Sequence, residues 1–121
     1  MKYLLFSLSI LCSTSLFSQE SDYDAVVRTL KYYTEGGTNN DWDTFKQAFH
    51  ETATMKCLRD GKYTEVNALE FFSGMKPGPP SDRHTRIANV EIFGNAASAQ
   101  IILMYKEAYV CLLYTSPSPR D

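Results

Sequence analysis

The stretch at residues 86–105, RIANVEIFGNAASAQIILMY, decides the fold class of this chain. Apolar residues alternate with polar ones on each side of Gly94-Asn95, and a turn-forming pair between two alternating runs predicts a long β-hairpin. We expect the return strand to continue to Val110 and to have no strand after it. The residues predicted to share the inner face of this hairpin are Ala88, Val90, Ile92, Ala97, Ala99, Ile101, Leu103 and Tyr105.

Two helices are predicted near the start of the chain. Residues 21–33 carry apolar side chains every three to four positions, which is the spacing of one helix face. Ser21 is suited to the N-cap, and the pair Gly36-Gly37 is expected to end this helix. A second, shorter helix is expected to begin after Asn40 as its cap. The predicted apolar face of this second helix holds Trp42, Phe45 and Phe49.

A second hairpin and a third helix are predicted in the middle of the chain. Residues 54–58 and 62–66 are β-prone and flank Asp60-Gly61, a strong hairpin turn signal. Asn67 is then expected to cap a short helix. The order helix, helix, hairpin, helix, long hairpin predicts an α+β fold with helices packed on one face of a curved, mainly antiparallel sheet.

The two ends of the chain differ in composition from the predicted domain. Lys2 precedes a short apolar run and small residues, which predicts a signal peptide over residues 1–18, cleavage before Gln19 and export to the periplasm or outside the cell. That run is shorter than the roughly 20 residues that span a bilayer, so we expect no membrane attachment after cleavage. The final segment CLLYTSPSPRD, residues 111–121, resembles a translated sequencing adapter. The expected domain is therefore residues 19–110, incomplete at its C-terminus, followed by an adapter-derived artefact; the alternative is a genuine disordered tail.

Length and charge exclude several classes of function. A chain of 121 residues predicts one domain, and a net charge of -2 gives no basic surface for nucleic acid. The two histidines belong to no cluster with metal-ligand spacing, so no metal is expected. No phosphate-binding glycine motif is present, and we expect no cofactor.

Three stretches together resemble a known family. They are YYTEGGTNNDWDTFKQAFHETATM at residues 32–55, DGKYTEVNALEFFSGM at residues 60–75, and the hairpin quoted above. In order and spacing they are similar to the "putative lumazine-binding" family of the nuclear transport factor 2-like (SnoaL-like) superfamily. The resemblance implies a cone, in which a curved sheet wraps around a long helix and leaves an apolar pocket at the open end. It also implies two further closing strands, which we expect to be missing here, and a homodimer formed through the sheet when the protein is full length.

The candidate site follows from the aromatic residues and one histidine. An aromatic stripe suits a pocket for a flat ligand or the core between helix and sheet. His50 is the candidate catalytic residue as a general base, although a histidine at a helix C-terminus also suits the helix dipole. Arg83, His84 and Arg86 suit an anion site or a solvated surface. The residues predicted to bind a ligand are Tyr33, Trp42, Phe45, Phe49, His50 and Met55.

Three functions stay open from the sequence. The first is an exported, non-catalytic domain that binds a small apolar or aromatic molecule. The second is a SnoaL-like isomerase, dehydratase or cyclase, in which His50 works with a carboxylate or tyrosine whose pKa is shifted in a dry pocket. The third is dimerisation or partner binding through the sheet.

Overall fold

The computed structural model describes residues 20–117, so the predicted signal peptide and residues 118–121 lie outside the described residues. Three helices, one 3-10 turn and five strands form this part of the chain. No helix within it combines the length and apolarity needed to cross a membrane. In chain order the elements are α1 (Asp22–Thr38), α2 (Trp42–Phe45), the 3-10 turn (Lys46–Ala48), β1 (Thr54–Arg59), β2 (Lys62–Asn67), α3 (Ala68–Phe72), β3 (Arg83–Phe93), β4 (Ala96–Tyr105) and β5 (Ala108–Pro117).

Helix α1 begins where the sequence predicts and ends later. Ser21 caps it, and its hydroxyl accepts a hydrogen bond from the backbone N–H of Asp24. The helix does not stop at the glycines, because Gly36 and Gly37 are both buried inside it. It ends at Thr38, where the N–H of the next residue bonds back to the Glu35 carbonyl. The glycines therefore serve close packing and not a left-handed helix cap.

The cap of helix α2 is also displaced from the prediction by one residue. Asp41, and not Asn40, accepts the hydrogen bond from the Thr44 N–H. Hydrogen bonds from Thr44 hold the pKa of the Asp41 carboxyl below its usual value. Asn40 instead takes a left-handed φ of 52°, and its side-chain amide donates to the Pro79 carbonyl at 2.6 Å. The asparagine thus makes the tight turn between the helices and anchors the loop that precedes β3.

The first hairpin and the third helix form as predicted. Strands β1 and β2 pair antiparallel, and Asp60 and Gly61 both have positive φ, the pattern of a type I′ turn. The Asn67 side chain accepts from the Glu70 N–H and so caps α3. This hairpin forms a two-stranded sheet by itself, and none of its residues is fully buried.

The long hairpin forms around its predicted turn and contains a bulge that the alternation did not predict. Gly94 has a φ of 59° between β3 and β4, and both strands pair antiparallel. The register shifts at Ala88, which has no partner on β4 and is exposed. The bulge allows Ile87 and Val90, three residues apart, to pack on the same core. The prediction that Ala88 faces inward is therefore wrong, and Ile87 takes its place.

A third strand extends this sheet, contrary to the expectation that the return strand runs unbroken to Val110. Strand β4 ends at Tyr105, and the chain turns at Lys106 and Glu107. Strand β5 then pairs with β4 along its length, giving the strand order β3-β4-β5. The pair Lys106-Glu107 lacks the glycine or asparagine that signals a tight turn, so the turn between β4 and β5 is not apparent from the sequence. The adapter origin of residues 111–121 stays a prediction.

The hydrophobic core lies between α1, α2 and the inner face of the three-stranded sheet. Leu30, Phe45 and Ile101 have almost no solvent exposure. The alternation predicted for β4 is confirmed at four inner positions, whereas Tyr105 at the strand end is 38% exposed. The fold is therefore α+β, with N-terminal helices packed on an antiparallel sheet. The four buried positions of β4 are Ala97, Ala99, Ile101 and Leu103.

Candidate ligand-binding site

Five aromatic side chains meet beside the core and are called here the aromatic cluster. Phe45 lies at its centre. The distances from the Phe45 ring centroid are 4.9 Å to Phe72, 5.1 Å to Tyr33, 5.4 Å to Phe49 and 6.2 Å to Trp42. Edge-to-face, tilted and stacked pairs all occur, as the ring quadrupoles favour. The aromatic cluster comprises Tyr33, Trp42, Phe45, Phe49 and Phe72.

The turn at Asn40 and helix α3 bring these rings together. The turn at Asn40 folds α2 back onto α1, which places Trp42 and Phe45 against Tyr33. Helix α3 carries Phe72, whose ring packs against Tyr33 and Phe45. Tyr33 and Phe45 are 7% and 2% exposed, whereas the other three members are only half-buried. The aromatic cluster therefore has a buried floor and a partly exposed rim that a flat apolar molecule can contact.

A set of hydrogen-bonded residues around the half-buried side chain of Arg83 lies at one end of the aromatic cluster and is called here the polar group. It comprises Arg83, Thr34, Thr38 and Tyr105. The Arg83 Nε donates to the Thr38 hydroxyl at 2.9 Å, and its Nη1 donates to the Tyr105 hydroxyl at 3.0 Å. Its Nη2 donates to the Thr34 carbonyl at 3.5 Å. Gly37 leaves the space that the guanidinium occupies, since a Cβ there would collide with Nη2. Strand β3 is thus fastened to the last turns of α1.

Tyr33 belongs to the aromatic cluster and directly precedes Thr34, whose carbonyl accepts from Arg83. Burial raises the pKa of Tyr33 to about 12, the charge of Arg83 acts to lower it, and Tyr105 acts to raise it. Geometry places Tyr33 near the same region, because its ring packs on Phe45 and the Phe45 ring lies beside the space at Gly37 that Arg83 Nη2 occupies. At neutral pH the hydroxyl is protonated and is able to donate a hydrogen bond.

The structure brings together four of the residues predicted to bind a ligand, Tyr33, Trp42, Phe45 and Phe49. His50 lies apart from them on the surface, and its Nδ1 accepts the backbone N–H of Thr52 at 3.2 Å. Met55 is half-buried in β1 opposite Val66. The binding role of all six residues stays a prediction.

Two members of the site were not among the predicted ligand-binding residues. Phe72 joins the aromatic cluster, and its apolar spacing with Leu69 in the third helix is the signal that indicates an inward position. Arg83 gives no comparable signal, because its neighbours His84 and Arg86 resemble it in the sequence and are exposed in the structure. Within residues 20–117, no three His, Cys, Asp or Glu side chains converge on a point where they could hold a metal ion.

Comparison with known proteins agrees with this architecture. Residues 21–114 match the model of the family described as "Putative lumazine-binding". An NTF2-like protein of unknown function from Shewanella baltica OS155 is 26% identical, with a TM-score of 0.63 over 80% of this chain and 95% of that one. An NTF2-like protein of unknown function from Methylobacillus flagellatus KT is 20% identical, with a TM-score of 0.67 over 84% of this chain and 83% of that one. No curated protein matches this chain significantly.

Proposed function

Because this chain belongs to the "putative lumazine-binding" family of NTF2-like proteins, we propose that it is a non-catalytic binding domain for a small apolar or aromatic molecule. The ligand lies against the rim of the aromatic cluster. The observation that carries this proposal is the exposure gradient, in which Tyr33 and Phe45 are buried while Trp42, Phe49 and Phe72 remain partly accessible. Binding sites for small molecules combine such apolar walls with a few polar groups.

The aromatic cluster supports a flat ligand in particular. The Phe49 and Phe72 rings are stacked at an interplanar angle of 27° and the Trp42 and Phe45 rings at 29°. The partly exposed rings of Trp42, Phe49 and Phe72 favour offset stacking with a further planar ring. His50, the candidate general base, is engaged in a surface turn away from the aromatic cluster, which favours binding over catalysis by this residue.

Ligand binding can be tested by tryptophan fluorescence, because Trp42 is the one tryptophan of the chain and belongs to the aromatic cluster. We expect lumazine, or another planar molecule from a panel of bicyclic aromatics, to change the fluorescence of Trp42 in a saturable way. Phe72→Ala should weaken this binding at least tenfold, because it removes one wall of the site. Phe93→Ala is the matched control, since Phe93 is 64% exposed and lies outside the aromatic cluster. An unsaturable response from every planar compound, or equal binding by Phe72→Ala, would contradict the proposal.

We also propose a homodimer formed through the outer face of the three-stranded sheet. Ile102 and Met104 lie on this face, opposite the buried side of β4, and Tyr109 beside Met104 is 80% exposed. This apolar patch on β4 and β5, which lies beside His84 and Arg86 of β3, supports association of two copies, because burial removes it from water. Sedimentation of the protein should give a dimer, and Met104→Lys should give a monomer with an unchanged circular dichroism spectrum and a lower melting temperature, because dimer formation stabilises the folded state. A monomer at micromolar concentration before mutation would rule the dimer out.

Export is proposed on the N-terminal sequence, in which Lys2 precedes the apolar run at residues 4–11. Expression of the whole chain in a bacterial host should place the protein in the periplasm. N-terminal sequencing of that protein should begin at Gln19. Recovery of uncleaved protein from the cytoplasm would overturn this assignment.

A further inference from the structure

Arg83 has hydrogen-bonding capacity that its structural role leaves unused. Helix α1 has no basic residue in its last turn, and the guanidinium supplies positive charge there from β3. A guanidinium has five N–H groups. Three of them donate to Thr38, Tyr105 and Thr34, and no carboxylate in residues 20–117 pairs with Arg83. Two N–H groups therefore have no acceptor in the described part of the chain.

Tyr33 provides an independent sign that this end of the aromatic cluster receives a polar ligand atom. The residue is 93% buried, since only 7% of it is exposed, and its hydroxyl makes no hydrogen bond with any described residue. A buried tyrosine hydroxyl normally has a partner, and leaving it without one costs free energy. Its ring contacts are all apolar, with Phe45, Phe49 and Phe72. The Tyr33 hydroxyl is thus a donor with no acceptor among the described residues, and Arg83, which contacts the next residue of α1, has no carboxylate partner there.

We propose that Arg83 and Tyr33 together bind a carboxylate group carried by an aromatic ligand, an inference that rests on the proposed function. The two free N–H groups of Arg83 and the Tyr33 hydroxyl donate to the carboxylate oxygens, while the ring of the ligand packs on the aromatic cluster. Tyr105 is the exposed member of the polar group, so the carboxylate reaches the guanidinium from its side. The planar fork of a guanidinium matches a carboxylate in bidentate geometry.

The geometry of the guanidinium is fixed before any ligand arrives. Hydrogen bonds to Thr38 and Tyr105 and the space left by Gly37 hold it against α1. A donor that is already positioned loses little conformational entropy on binding. Lysine would bring one compact charge without the fork, so Arg83→Lys should not restore full affinity.

The test compares two ligands of the same shape that differ in charge. Binding of 2-naphthoate and 2-naphthamide to the whole protein is measured by isothermal titration calorimetry. We expect naphthoate to bind on the order of tenfold more tightly, since hydrogen bonds to a charged group are the stronger kind. Tyr33→Phe should remove most of that preference and leave the affinity for naphthamide within about twofold.

Arg86→Gln is the matched control, because it removes the same charge from the same strand at an exposed position. It should leave the preference for naphthoate intact, whereas Arg83→Met should abolish it. If Arg83→Met fails to fold, Tyr33→Phe decides alone, since the Tyr33 hydroxyl supports no hydrogen bond in the fold. Equal affinity for both compounds, or an unchanged preference in Tyr33→Phe, overturns the carboxylate site and leaves the proposed function standing. Binding of neither compound, nor of any planar compound in the panel, overturns both.

Discussion

Gly36 and Phe45 approach so closely that a methyl group on Gly36 would lie 2.6 Å from the amide nitrogen of Phe45 and 2.7 Å from its Cα. Cβ atoms essentially never lie within 3.0 Å of heavy atoms outside their own residue and its chain neighbours. The contact is with backbone, which has no rotamer that avoids the collision. The position of α2 on α1, and with it the centre of the aromatic cluster, therefore depends on the absence of a side chain at residue 36.

Gly36→Ala should destabilise the protein by up to about 2 kcal/mol, because overpacking a closed contact costs about 1–3 kcal/mol. The gain of about 1 kcal/mol in helix propensity from glycine to alanine only partly offsets this cost. Gly74→Ala is the control, because nothing lies within 4 Å of its Cβ position and its φ is negative. Urea denaturation of both variants checks the prediction, and equal stability of the two would contradict the packing of α2 on α1.

Phe45→Ala should cost about 3–5 kcal/mol, since it leaves a cavity at the centre of the aromatic cluster. Phe45 is 2% exposed and contacts four other rings. Phe93→Ala removes the same side chain from a position that is 64% exposed and should change the free energy of unfolding by about 0.5 kcal/mol or less. Chemical denaturation measures both, and a loss below 1 kcal/mol for Phe45→Ala would place that ring outside the core.

Tyr33→Phe should leave the stability at neutral pH unchanged or raise it by up to about 1 kcal/mol. The substitution keeps the buried ring and removes a hydroxyl that has no hydrogen-bond partner among the described residues. Thermal melting at pH 7 checks this outcome. A clear loss of stability would show that the hydroxyl makes a stabilising hydrogen bond after all.

The same variant isolates a pH effect on stability. The pKa of Tyr33 is raised from 10.0 to about 12 in the folded protein, chiefly by burial. Between these values the unfolded chain releases a proton that the folded protein retains. Stability therefore falls as the pH rises from 10 to 12, by at most about 1.4 kcal/mol per pH unit for this group. Urea denaturation at pH 9, 10 and 11 should show a smaller loss in Tyr33→Phe than in the natural protein, and parallel losses would exclude a buried Tyr33 hydroxyl.

Arg83→Met should destabilise the fold by about 1–3 kcal/mol, because the Thr34 carbonyl and the Thr38 hydroxyl lose a charged donor. The end of α1 also loses the positive charge that interacts favourably with its dipole. Arg86→Met removes an exposed arginine from the same strand and should change stability by about 0.5 kcal/mol or less. Equal effects in thermal melts would show that Arg83 does not connect β3 to α1.

Tyr114→Phe tests whether β5 packs as the structure shows. The Tyr114 hydroxyl donates to the Ala48 carbonyl at the end of the 3-10 turn, and its ring flanks the core. Removing the hydroxyl should cost about 1 kcal/mol. Tyr109→Phe is the control in the same strand, since Tyr109 is 80% exposed. Denaturation curves that coincide for both variants would indicate that β5 does not dock on the helices.

The sequence by itself determined the three helices and the two hairpins, but not strand β5. Alternation around Gly94-Asn95, the turn at Asp60-Gly61 and the caps Ser21 and Asn67 are local signals, and each depends on residues within a few positions along the chain. Their order was sufficient for the α+β class. The aromatic residues of the second helix were identified in the same way, because Trp42, Phe45 and Phe49 recur at helical spacing.

Tertiary structure decided what those elements do. Gly36-Gly37 resembles a helix end in the sequence but continues the helix, because Phe45 and Arg83 pack where side chains would otherwise stand. The bulge at Ala88 lets Ile87 and Val90 both pack on the core. The alternation of apolar residues along one strand does not predict this bulge. The hydrogen bonds from Arg83 to Thr38 and Thr34 join residues 45 and 49 positions apart. Sequence periodicity reports only the local secondary structure. The contacts of a side chain depend on the tertiary structure, which brings distant residues together.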